Sequence, residues 1–167
     1  QLLPMANRES TWAAPCVYKS PPSGSASITV AAGTYTDTAG NGGGAGSNPP
    51  TITIDTLAPT LAISSSASAL KAGETALITF TFSEDPGGSF IASDVFIATG
   101  GTLSNLTTAG ATRTATFTPT ANFASGSASI TVAAGTYTDT AGNGGGAGSH
   151  PPTLTIDTLA PTLAISS

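Results

Sequence analysis

The sequence predicts an all-β fold of antiparallel strands packed as a sandwich, and three observations carry that expectation. Apolar and β-branched residues alternate with polar ones at period two in many short runs, Gly, Pro, Asn and Asp clusters separate the runs, and no helical period takes hold. Residues 23–65 recur at 125–167, a shift of 102 positions, with only Asn48 against His150 and Ile52 against Leu154 differing across 43 aligned positions. A period near one hundred is too long for a solenoid unit and matches one sandwich domain, so the chain reads as a window on a tandem repeat of about 102 residues.

Taken in order through the complete repeat, residues 56–157, the pattern places strands at Leu61–Ser64, Thr75–Phe82, Asp94–Ala98, Leu103–Thr107, Thr112–Thr118, Ser127–Ala133 and Thr153–Ile156. In Thr75–Phe82, Ile78, Phe80 and Phe82 share one face and Thr79 and Thr81 the other, as in a sheet with one buried side. Ala115 and Phe117, then Ala128, Ile130 and Val132, then Leu154 and Ile156, repeat the pattern. Seven short strands in about a hundred residues suit an antiparallel Ig-like β-sandwich, and that length buries a core without disulfide or metal. Residues 23–55 supply the last two strands of a preceding repeat and 158–167 the first strand of the next, and neither part closes a sandwich alone. Residues 1–22 do not match the repeat and are expected to be poorly ordered. Pro59 and Pro161 stiffen the passages between repeats by fixing φ, which implies neighbouring repeats stacked as a rod.

Charged residues make up 8% of the chain, against about a quarter in an ordinary globular domain. Hydroxyl groups must therefore carry solubility. Asp37, Asp55, Glu74, Glu84, Asp85, Asp94, Asp139 and Asp157 face two bases within the repeats, Lys71 and Arg113. Such a surface repels nucleic acid and anionic lipid and takes divalent cations as counter-charge. One Cys precludes a disulfide framework. No run reaches the roughly 18 apolar residues needed to span a membrane, so membrane insertion is not expected.

Five segments carry a family likeness: SEDPGGSFIASDV (83–95), IATGGTLSNLT (97–107), ATFTPTAN (115–122), TYTDTAGN (136–143) and TIDTLAPT (155–162). In this fixed order they closely resemble the bacterial Ig-like repeats of giant secreted adhesins and RTX-type surface proteins. The resemblance covers residues 23–167. It implies an antiparallel sandwich, export by a type I-like route, an extracellular or cell-surface location, and a role as an extender module in an adhesive stalk. Neighbouring repeats of the same chain would be the partners, calcium is often held at domain junctions, and the distal adhesive ligand is left undefined.

In an Ig-like topology the loop between the second and third strands, the loop between the last two strands and the incoming linker meet at one pole. That arrangement would gather Asp55 from the linker, Glu84 and Asp85 from the first loop, Asp94 at the following strand, and Asp139 with Asn143 from the last loop. Carboxylate and amide oxygens without nitrogen or sulfur ligands suit Ca²⁺, which takes six to eight oxygens. Asp139-Thr-Ala-Gly-Asn143-Gly reads equally as an ordinary turn, and Glu84 and Asp85 as solvated loop acids.

Other motifs carry less. Gly40–Ala45 and Gly142–Ala147 fit a loose dinucleotide-binding pattern but are followed by Pro-Pro where that pattern needs a helix. GGGAGS lacks the aspartate of the RTX calcium nonapeptide. Alternating threonines at 51/53 and 114/116/118 read as outward-facing strand positions, His150 as a solvated loop residue, and Asn105-Leu-Thr107 as a chance sequon. No triad or nucleophile-elbow signature is present. The expectation is a non-catalytic structural module, with a glycan- or protein-binding module and an accessory domain of a secreted hydrolase as the alternatives.

Overall fold

A computed structural model describes residues 23–47, 52–97, 99–149 and 153–166. Residues 1–22 and His150 lie outside them. Two compact units divide the chain at Ile54 and Asp55.

The first unit is described from Ser23. It holds β1 (Ser23–Ala26), β2 (Thr29–Val30), β3 (Gly46–Ser47) and β4 (Ile52–Asp55), whose last residue opens the second unit. β1 pairs with β4 and β2 with β3. Among the described residues these are the strands of the duplicated segment without the rest of a sandwich, and the consequence is visible in burial. Ile28, Tyr35 and Ile52 are 63%, 55% and 47% exposed, whereas their equivalents Ile130, Tyr137 and Leu154 are 0%, 1% and 0% exposed. Near-identical sequence thus gives the same strands in both places, but only tertiary partners make a core.

The second unit contains β5 (Leu61–Ser65), β6 (Ala69–Lys71), β7 (Ala76–Phe82), β8 (Val95–Ile97), β9 (Gly101–Ser104), β10 (Thr112–Pro119), β11 (Gly126–Ala128), β12 (Ile130–Val132), β13 (Gly148–Ser149) and β14 (Leu154–Asp157). One sheet has the order β5-β7-β10-β9. Opposite it, β11-β14-β6 and β13-β12-β8 meet where Ser129 interrupts the chain between β11 and β12. The β7–β10 register sets Phe80 opposite Arg113 and Ile78 opposite Ala115. The core combines Ile78, Phe80, Phe82 and Phe117 from the first sheet with Ile130, Val132, Leu154 and Ile156 from the second. Alternation along β7 is strict, with Ala76, Ile78, Phe80 and Phe82 buried.

The described residues of the second unit form ten strands where seven were expected. β6 and β13 are additional, the run expected as one strand over Ser127–Ala133 is β11 and β12 split at Ser129, and the strand expected from Asp94 begins at Val95 after a 3₁₀ turn. β6 pairs with β14 in parallel, because the chain crosses from one sheet to the other between β5 and β6. The crossing is held on both sides: Ser66 N–H donates to Leu77 O at 2.9 Å, and Thr155 N–H donates to Ser68 O at 2.9 Å. β9 ends at Ser104, short of the expected Thr107, because Asn105 has φ 54° and turns the chain out of extended geometry. Gly148 lets β13 approach β5 closely, since a Cβ there would lie 2.6 Å from Leu61 Cδ2. No helix among the described residues is long and apolar enough to cross a membrane.

Candidate functional site

An acidic cluster forms where the linker runs into the second unit. Carboxylate oxygens of Asp55, Glu84 and Asp139 all lie within 4.8 Å of one another. Asp55 closes β4, Glu84 follows β7, and Asp139 sits in the loop between β12 and β13.

Local hydrogen bonds shape the Asp139 loop. Asn143 N–H donates to Asp139 Oδ1 and Asn143 Nδ2 donates to Asp139 Oδ2, both at 2.8 Å. The Asn143 amide hydrogen bond, joined by backbone donors, holds the Asp139 carboxyl below the usual carboxylate range despite its burial. Asp37 and Asn41 make the same clamp in the first unit, where the loop is exposed. The clamp is therefore a property of the local sequence, as the turn reading holds. What the second unit adds is reach: Asn143 Nδ2 also donates to Asp55 O at 3.2 Å, tying the loop to the linker.

Further contacts fasten that linker. Pro59 O accepts from Gly146 N–H at 2.9 Å and from the Tyr137 hydroxyl at 3.4 Å. Thr60 N–H donates to Ser83 Oγ at 2.9 Å, and Ser83 N–H returns to Thr60 O at 3.0 Å. Tyr137 lies across Gly145, where a Cβ would collide with its ring, and its hydroxyl donates to Gly146 O at 2.9 Å. Ser89 bridges the two loops: its Oγ donates to Thr138 O at 2.8 Å and accepts from Thr138 N–H at 2.9 Å.

Asp85 and Asp94, the remaining acids of the expected set, are engaged elsewhere. Asp85 Oδ1 accepts from Gly87 N–H at 2.9 Å and from Arg113 Nη2 at 3.2 Å, and these bonds, Gly87 first, lower its pKa. Asp94 Oδ2 accepts from Ile91 N–H at 2.8 Å and caps the short 3₁₀ turn Ala92–Asp94. The structure thus brings Asp55, Glu84, Asp139 and Asn143 together and leaves Asp85 and Asp94 outside the trio.

Arg113 was counted above as a surface base, and the structure corrects that. Its side chain is fully buried, because period-two alternation along β10 puts it on the same inward face as Ala115 and Phe117. Nε donates to Gly110 O, Nη1 to Phe90 O at 3.2 Å, and Nη2 to Gly87 O as well as to Asp85. The guanidinium carbon lies 5.9 Å from the Phe90 ring centroid. Phe90 in turn packs against Phe80 and Phe82 at 5.3 and 4.9 Å, so the loop carrying Glu84 is anchored through its far end. That inward register was the sequence signal for Arg113, and its charge obscured it. Ser89 and Tyr137 carried no comparable signal.

Among the described residues the ion pairs are Lys71–Glu74 and Arg113–Asp85, and neither includes a member of the trio. Three carboxylates at this spacing repel one another when ionised, and a cation removes that repulsion. Each carboxylate retains lone pairs beyond the hydrogen bonds described. The oxygen-only donor set fits a hard divalent cation such as Ca²⁺, with Asp55, Glu84 and Asp139 as the residues that would hold it.

Two facing sheets, a strand that changes sheets and loops gathered over the incoming linker define an Ig-like β-sandwich module. The chain belongs to the bacterial Ig-like domain family, whose profile matches residues 55–156. No curated protein and no solved structure matches it.

Proposed function

We propose that the chain is a non-catalytic extracellular structural module, an extender in the stalk of a bacterial surface or secreted adhesin, with Ca²⁺ fixing the incoming linker to its domain. The observation that carries this reading is the linker itself. Residues 55–60 are hydrogen-bonded to the sandwich at Asp55 O, Pro59 O and Thr60, and the Asp55 carboxylate stands beside Glu84 and Asp139. A cation shared by these three acids joins linker to domain at the point where a stalk needs stiffness. The near-identical copies at 23–65 and 125–167 suit a spacer better than a unique recognition site.

Calorimetric titration of the full chain with CaCl₂ tests the site. A Kd of about 10⁻⁴–10⁻³ M is expected, the range of extracellular calcium modules. The double variant Glu84→Gln/Asp139→Asn should lose that binding while keeping its far-UV circular dichroism. Undiminished binding in the folded double variant would remove both acids from the site.

A further inference from the structure

The two copies of the Asp-Thr-Ala-Gly-Asn-Gly turn place the same reactive dipeptide in two different settings. Asn41-Gly42 and Asn143-Gly144 are each flanked by the same residues from 23 to 47 and from 125 to 149. Gly42 pairs with Thr36 at an isolated bridge position. The flanking hydrogen bonds run from Gly43 N–H to Tyr35 O at 2.7 Å and from Asp37 N–H to Asn41 O at 3.1 Å. Gly42 is therefore the non-hydrogen-bonded member of the bridge, and its N–H points away from the partner strand. Thr138 and Gly144 repeat this arrangement. A glycine after asparagine adds no Cβ to shield the asparagine side-chain carbonyl from its own amide nitrogen.

We propose that these Asn-Gly pairs are sites of spontaneous amide modification, and that Asn41 reacts ahead of Asn143 because the second unit restrains its copy. The Gly42 amide nitrogen bonds to Asn41 Cγ and loses its proton. The Asn41 side-chain nitrogen leaves as ammonia, closing a five-membered succinimide. Water then opens one of the two imide carbonyls, leaving an aspartyl or an isoaspartyl residue. Asn41 is exposed, and among the described residues its side-chain amide donates to Asp37. Asn143 is half-buried, and its amide donates to Asp55 O in addition to Asp139. The extra bond must break before the side chain swings onto Gly144. Reaction at Asn143 replaces that amide donor with a carboxylate beside Asp55, Glu84 and Asp139, so it both loosens the linker and adds an acid to the cluster.

The full chain, incubated at mildly alkaline pH and cut with trypsin after Lys19, Lys71 and Arg113, yields separate peptides for Asn41 and Asn143. Mass spectrometry then follows the amide-to-acid conversion in each. Asn41 is expected to convert about fivefold faster than Asn143, the factor that one hydrogen bond of ordinary net strength supplies. The two rates should converge in denaturant, where the flanking sequences are the same. Gly42→Ala, at a position where a Cβ meets only Gly33 Cα at 3.8 Å, should suppress reaction at Asn41. Equal native rates, a ratio that persists in denaturant, or conversion of Asn41 no faster than that of Asn105, which precedes Leu106, would each overturn the proposal.

Discussion

Tyr137→Ala is expected to lower the stability of the second unit by about 3–5 kcal/mol, the usual range for removing a buried aromatic side chain. Tyr35→Ala, at the equivalent position of the first unit, should change stability by no more than about 0.5 kcal/mol. The two tyrosines sit in the same local sequence, and each ring lies against an equivalent glycine, Gly145 or Gly43. They differ in what surrounds them. Tyr137 packs edge-on against Phe82 at 5.1 Å and against Phe90 at 6.1 Å, and its hydroxyl reaches Gly146 O and Pro59 O. Tyr35 is more than half exposed. Urea titrations followed by circular dichroism compare the two directly, and similar losses would mean that residues 23–54 contain a core of their own.

Arg113→Ala should be about as damaging, at about 3–5 kcal/mol, since it strips a buried network of its donor. The change leaves the carbonyls of Phe90, Gly87 and Gly110 without the guanidinium they share. Lysine does not restore them, because one ammonium lacks the planar fork that reaches three carbonyls and a carboxylate together. Asp85→Ala should cost less than Arg113→Ala, because the guanidinium keeps its three carbonyl acceptors, but it still leaves a fully buried cation without its carboxylate partner. Chemical denaturation of the three variants checks the order, and an Asp85 effect equal to that of Arg113 would make the ion pair, rather than the carbonyl network, the source of stability.

Strands with strict alternation were legible in the sequence. Ala76–Phe82 and Thr112–Pro119 lie within one residue of the expected ends because burial on a single face fixes both register and extent. The strands read less well were those set by long-range geometry. Ala69–Lys71 is short and forms because the chain changes sheets, and Gly148–Ser149 contains no apolar alternation at all. At the acidic pole, topology alone placed Asp55, Glu84, Asp139 and Asn143 near one another. It did not show that Asp85 answers a buried arginine or that Asp94 caps its own turn, since both depend on hydrogen bonds that residue type leaves open. Arg113 was misread for a related reason, in that its charge argued for the surface while its register put it in the core.

Thermal unfolding of the full chain in EDTA, in CaCl₂ at one hundred times the expected Kd, about 10–100 mM, and in MgCl₂ at the same concentration tests most directly whether a cation fastens the linker to the domain. Calcium at one hundred times its Kd should stabilise the second unit by about 2.7 kcal/mol. For a unit of this size that is a rise in Tm of roughly 10 °C. Magnesium should do far less, because it demands tighter octahedral geometry and gives up its water reluctantly. A Tm that is the same in all three solutions would contradict a calcium-fastened linker and leave Asp55, Glu84 and Asp139 as loop acids of a metal-independent spacer.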